Sequence, residues 1–126
     1  MNGLLAKAHR AEKSAIALLQ MGDAEAAINR AYYAMYDAAR AALQSIDPVL
    51  AAAKKHSTVI GRFSKYFVQE RNFPKELGRS LSRAFDSRLV ADYSDAPVAF
   101  ETAAEVVEAM QRFIRAVEAI EGLDRK

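Results

Sequence analysis

Apolar residues along this chain recur at steps of three and four, and alternation never lasts more than a few positions. Leu4, Ala8, Ala11, Ala15 and Leu18 predict an amphipathic helix over 3–21. Gly22 suits its end, and Asp23 suits the cap of the next helix. That second helix runs to about Ser45 and carries Ile28, Tyr32, Met35, Ala39 and Leu43 on one stripe. Ile46-Asp47-Pro48 breaks it, because a residue before proline is pushed out of the α region, and 46–53 read as a loop or short turn. A third helix starts near His56 or Ser57 and buries Val59, Ile60, Phe63, Tyr66 and Phe67. Asn72-Phe73-Pro74 ends it and opens a fourth over about 74–92, with Leu77, Leu81, Ala84 and Phe85 inward. Ser94-Asp95-Ala96-Pro97 is the next break, with Asp95 as N-cap. The fifth helix, 97–121, turns Phe100, Ala103, Val107, Met110, Ile114 and Val117 inward and Glu101, Glu105, Glu108 and Arg112 outward. No hairpin signal appears, so the expectation is an all-α protein, an up-and-down bundle of four to five helices.

Composition narrows the class. A chain of 126 residues, 52% apolar and 27% charged, is long enough to bury a core as a single domain over 1–126. Without cysteine, neither disulfides nor a thiolate metal site are available. The two histidines are distant and the carboxylates dispersed, so neither a metal nor a cofactor is expected. No apolar run approaches the ~20 residues of a membrane span. The first ten residues meet charge too early for a signal peptide, and a cytoplasmic location is expected. Net charge is only +2 but uneven. Lys54 to Arg88 holds nine bases against three acids (+6), whereas Asp92 onward holds eight acids against four bases (−4). Such a basic stretch attracts phosphate from RNA or a nucleotide, or an acidic partner, unless the two segments lie side by side and neutralise each other.

Candidate chemistry gathers at three places. On the second helix Asn29, Tyr33, Tyr36 and Arg40 recur on a line beside the apolar stripe, and three tyrosine hydroxyls within five residues exceed what a core requires. This line is a candidate nucleotide-binding or interface surface. On the fourth helix the inward stripe continues to Arg88, a permanent cation that needs a partner or an opening to water. Asp92, one turn on, can pair with it, and Tyr93, Asp37 and the tyrosines of the second helix are other partners within reach. Arg88 then serves either as half of a structural ion pair or as a phosphate holder in a polar cleft. His56, after Lys54-Lys55 at a helix start, is a candidate general acid–base or simply a capping and packing residue. His9, on an early turn, has no evident role. Neither a glycine-rich phosphate loop nor a Ser-His-Asp arrangement is present.

Three separated motifs agree with one family. Asn29-Arg30-Ala31-Tyr32-Tyr33-Ala34-Met35-Tyr36-Asp37-Ala38-Ala39-Arg40, Lys55-His56-Ser57 and Arg88-Leu89-Val90-Ala91-Asp92-Tyr93 together resemble the HEPN family (higher eukaryotes and prokaryotes nucleotide-binding domain), closest to its small stand-alone prokaryotic members. The likeness covers nearly the whole chain. It implies a helical bundle that often forms homodimers. Many members are metal-independent ribonucleases, commonly toxins encoded beside a minimal nucleotidyltransferase (MNT) antitoxin. Their site is usually an Arg-x(4–6)-His motif. The arginine holds the scissile phosphate, the histidine assists proton transfer at the 2′-hydroxyl, and a tyrosine after it is nucleotidylated in some pairs. Arg88 matches the motif arginine, but Asp92 or Tyr93 stands where the histidine would be. The resemblance therefore implies a HEPN component of a toxin–antitoxin or defence pair, a homodimer acting on RNA or binding a nucleotide. Arg88 would hold phosphate, Asp92 would orient that arginine or accept the 2′-hydroxyl proton in the histidine's place, Tyr93 would accept modification, and His56 would replace the missing histidine, with Lys55 beside it. The alternatives are a non-catalytic binding module and a nucleotide-binding subunit of a nucleotidyltransferase.

Overall fold

A computed structural model of the chain describes residues 3–120 and Leu123. Among them the structure is all helical: α1 (Gly3–Gln20), α2 (Ala24–Ile46), α3 (Pro48–Ala51), α4 (His56–Phe63), α5 (Lys75–Tyr93) and α6 (Phe100–Glu118), with a π-helical turn over Ser64–Gln69 continuing α4.

α2 is the centre. α2 buries thirteen residues over most of its circumference, seven of them alanines (Ala27, Ala31, Ala34, Ala38, Ala39, Ala41 and Ala42), and leaves Asn29, Arg30, Tyr33 and Arg40 half-buried on the remaining face. The small side chains let neighbouring helices approach closely, and α1, α5 and α6 pack on α2 together with α3 and α4. α1 leads into it through a Schellman turn. Gly22 adopts φ +83°, Asp23 N donates to Leu18 O, and Gly22 N donates to Leu19 O, each at 3.0 Å. Asp23 then caps α2 by accepting from Ala26 N at 3.2 Å.

A second focus is aromatic. Phe63, Phe67, Phe73 and Phe113 meet with ring centroids 4.9 to 5.5 Å apart, joining the π-helical turn to α6. Phe73 reaches the cluster because Asn72 takes the left-handed conformation, φ +58°, which asparagine tolerates better than most residues. Phe73 N then donates to Phe67 O at 2.9 Å.

The structure departs from the periodic reading in three places. Within 46–53, Asp47 caps a short helix by accepting from Val49 N at 3.0 Å, with Pro48 at its first position. The third predicted helix keeps α-geometry only to Phe63 before widening into the π-helical turn. The fifth begins at Phe100 rather than 97, capped by Ala99 and not by Asp95. Phe100, expected inward, is therefore exposed in a first turn, and Val98 packs instead against Ile28, Ala91 and Ala103. This helix ends at Glu118, with Ala119 as the cap, short of the predicted 121.

Candidate functional site

His56 is the first residue of α4, and the preceding backbone fixes where it points. Arg62, one face of α4 further on, donates to the carbonyls of Val49, Leu50 and Ala52 at 3.4, 3.1 and 3.4 Å. Arg40 on α2 donates through Nε to Ala51 O at 3.1 Å. These two arginines tie the 46–53 segment to both helices and bring the start of α4 onto the middle of α2. Lys55, the capping residue, is exposed and makes no side-chain cap bond.

There His56 enters a tyrosine cage. Its Nδ1 lies 2.7 Å from Tyr32 Oη. The Tyr36 ring stacks on the imidazole at 4.2 Å and 15°, and Tyr33 meets it edge-on at 5.8 Å. Burial lowers the His56 pKa below 6.5, and the Arg88 and Arg40 charges lower it further against the pull of Asp37, which favours the neutral ring. Burial raises the Tyr32 and Tyr36 phenols above 10, which keeps both protonated.

Arg88 approaches the same cage from α5. Its guanidinium carbon lies 5.2 Å from the Tyr32 ring, 5.5 Å from Tyr33 and 5.6 Å from Phe85. Nη1 donates to Asp92 at 3.4 Å, while Nε is buried without a partner among the described residues. The side chain is only 13% exposed. Of the partners read from the sequence, Asp92 meets Arg88 through charge and Tyr32 and Tyr33 through their rings, whereas Asp37 pairs with Arg40 and Tyr93 stands exposed.

Beside the cage opens a cleft of about 380 Å³ lined by Lys7, Arg30, Tyr33, Tyr36, Asp37, Arg40 and His56. Asp37 is 4% exposed and is the buried charged residue of the described chain. Burial pushes its carboxyl pKa up, against the pull of Lys7, Arg40 and Arg30. Of the line Asn29, Tyr33, Tyr36 and Arg40, the last three face this cleft. Asn29 and Asp92 line a separate hollow with Asp23, Glu25 and Arg30. Tyr93 stands exposed on the last turn of α5. Lys7, Arg30 and Asp37 were not singled out as cleft residues from the pattern. The available signal was a lone carboxylate inside the otherwise apolar and tyrosine-rich run 31–39.

Comparison with known proteins agrees with the arrangement of helices. The model of the HEPN domain matches residues 1–120. A Methanocaldococcus jannaschii protein named "Putative toxin" is 32% identical over 90 residues, 70% of this chain and 63% of its own length. A UPF0332 protein of Thermotoga maritima is 33% identical over 78 residues, 62% of this chain and 57% of its own. One from Pyrococcus horikoshii is 43% identical over 82 residues, 60% and 52% respectively. The chain therefore spans somewhat more than half the length of these relatives. With the family model matching nearly the whole chain, this protein belongs to the HEPN domain family.

Proposed function

We propose that this HEPN protein is a toxin-type, metal-independent endoribonuclease whose proton acceptor is His56 and whose phosphate-binding cation is Arg88. One observation carries the reading: His56 from α4 and Arg88 from α5 converge on the single ring of Tyr32, beside a cleft rimmed by Lys7, Arg30 and Arg40. RNA cleavage by its own 2′-hydroxyl is helped by a proton acceptor and a cation on the phosphate, roles that a histidine and an arginine can fill. In the tautomer that serves it, Nδ1–H donates to Tyr32 Oη and Nε2 keeps its lone pair. Nε2 takes the 2′-hydroxyl proton as the 2′-oxygen attacks phosphorus. The bond from phosphorus to the 5′-oxygen breaks, and the 5′-oxygen is protonated from water. The products are a 2′,3′-cyclic phosphate and a 5′-hydroxyl. Arg88, oriented by Asp92, offsets charge on the phosphoryl oxygens. In this proposal the protein works as a homodimer beside a minimal nucleotidyltransferase partner, which would find the Tyr93 hydroxyl open to modification; the name of the archaeal relative is in keeping with such a pair.

The test is cleavage of RNA in EDTA by wild type, Arg88→Ala and His56→Ala, each checked for helical content. The expected result is cleavage by wild type and a loss of at least ~100-fold in either variant, the usual contribution of a positioned acid–base or phosphate group. Variants as active as wild type would remove both residues from the chemistry.

A non-catalytic binding module is the second reading, and the seclusion of Arg88 favours it. A guanidinium 13% exposed, held by Asp92 and three rings, resembles a structural lock. A folded wild type that binds RNA with steep salt dependence but never cleaves it would decide for this reading.

A further inference from the structure

We infer that Asp37 reads the base bound in the cleft and selects guanine, because its carboxylate is buried yet keeps acceptor capacity open toward a cleft with aromatic and cationic walls. The inference rests on the RNA reading of that cleft and names the base it takes.

A carboxylate offers about four acceptor sites. Among the described residues Asp37 accepts one side-chain hydrogen bond, from Arg40 Nη1 at 3.5 Å, the outer limit of such a bond. An arginine three residues away could close on it at shorter range, but Arg40 is held through Nε by the Ala51 carbonyl at 3.1 Å. A buried anion so thinly bonded is costly. Lys7, Arg30 and Arg40 compensate its charge at longer range without filling its lone pairs. The missing donors are those a ligand in the cleft would bring.

The walls indicate what kind of ligand. Tyr33, Tyr36 and His56 supply aromatic surface for a planar ring, and Lys7 and Arg30 supply cations for its phosphate. Among the RNA bases, guanine alone presents two adjacent donors on its Watson–Crick edge, N1–H and the N2 amino group, matching the two oxygens of a carboxylate. Adenine and cytosine set an unprotonated ring nitrogen beside their amino group, and uracil flanks its one N–H with carbonyl oxygens. Each of these brings a lone pair against Asp37.

The experiment is calorimetric binding of guanosine, inosine, adenosine, cytidine and uridine 3′-monophosphates to the wild-type chain and to Asp37→Asn. Inosine differs from guanosine only by the N2 amino group. One charge-assisted hydrogen bond should make guanosine monophosphate bind roughly tenfold or more tightly than inosine monophosphate. The preference over the other three should be at least as large, and Asp37→Asn should abolish it. Equal binding of guanosine and inosine monophosphates, no binding of any nucleotide at millimolar concentration, or a guanine preference retained by Asp37→Asn would overturn the inference. If the variant does not fold, the guanosine–inosine comparison on wild type still decides. Guanine preference without RNA cleavage would remove the ribonuclease and leave base reading intact. Cleavage without guanine preference would remove the base reading alone.

Discussion

Histidine 9 shows how a residue without visible purpose in the sequence acquires one through folding. Its Nδ1 meets Glu12 at 3.0 Å and its Nε2 meets Glu118 at 2.6 Å, so it bridges α1 to the last turn of α6. Burial disfavours its charge, but hydrogen bonds and attraction from the two glutamates outweigh that and raise its pKa above 6.5. A raised histidine stabilises fully below the unfolded value of 6.5, and the contribution fades as pH climbs through the folded value. His9→Ala should therefore lose about 0.5–1 kcal/mol near pH 6, the range for a half-exposed pair, and much less near pH 9. Thermal melts at the two pH values check this; an equal loss at both would assign His9 to packing alone. Nothing local announces the contact, because Glu118 is 109 residues away in sequence. The cage divides in the same manner. Arg88 and His56 were visible as candidates because a cation on an apolar stripe and a histidine at a helix start break a pattern. Tyr32 fitted the core stripe, and only the fold shows that its hydroxyl meets His56. Asp37 was visible only as a possible partner of Arg88 within the α2 motif, and its place in the cleft was not, since burial of a single acid is decided by which helices surround it.

At the level of elements, the long helices and their order were readable from apolar spacing, capping residues and prolines, as at Gly22-Asp23, whereas Asp47-Pro48 was read only as a break and the short α3 it opens was not. Hidden from periodicity was the π-helical turn, because widening by one residue per turn arises from what packs outside it. Gly78 on α5 shows that constraint. A Cβ built there would lie 2.6 Å from Val68 Cγ2, on the π-helical turn. Valine is stiff about χ1 and cannot simply swing aside. Gly78→Ala, ordinarily favourable inside a helix, should here destabilise the chain by about 1–3 kcal/mol through overpacking. Denaturant melts should show the loss, and Val68→Ala in the same chain should recover most of it. A stabilised single variant would mean that the two elements separate freely. Phe100 carries the complementary lesson: its place on the apolar stripe presumed a helix already running at 97, and the later start leaves it in water.

For the whole molecule, charge and apolar surface point in different directions. The basic α5 packs against the acidic α6, Arg83 and Glu105 line one hollow between them, and Glu76 pairs with Arg79 and Arg83 at 3.1 and 3.4 Å. The Glu76 pairs are already counted within the +6, but Glu105 beside Arg83 sets acidic charge from α6 against that stretch, and the cations gathered in the cleft are Lys7, Arg30 and Arg40. Apolar exposure, by contrast, includes two aliphatic or aromatic side chains where α5 ends and α6 begins, Val90 at 61% and Phe100 at 52%, beside the open Tyr93 hydroxyl. Large apolar groups gathered at one end of a helical pair are a surface that association would cover. The proposed homodimer should therefore use this end of the bundle, next to Arg88. In sedimentation the wild type should run as a dimer. Val90→Asp combined with Phe100→Asp should weaken association by at least ~100-fold, because each places a charge in a desolvated contact, while circular dichroism stays unchanged. A wild type that sediments as a monomer, or a dimer indifferent to both charges, would move the interface elsewhere and leave these side chains as ordinary exposed residues.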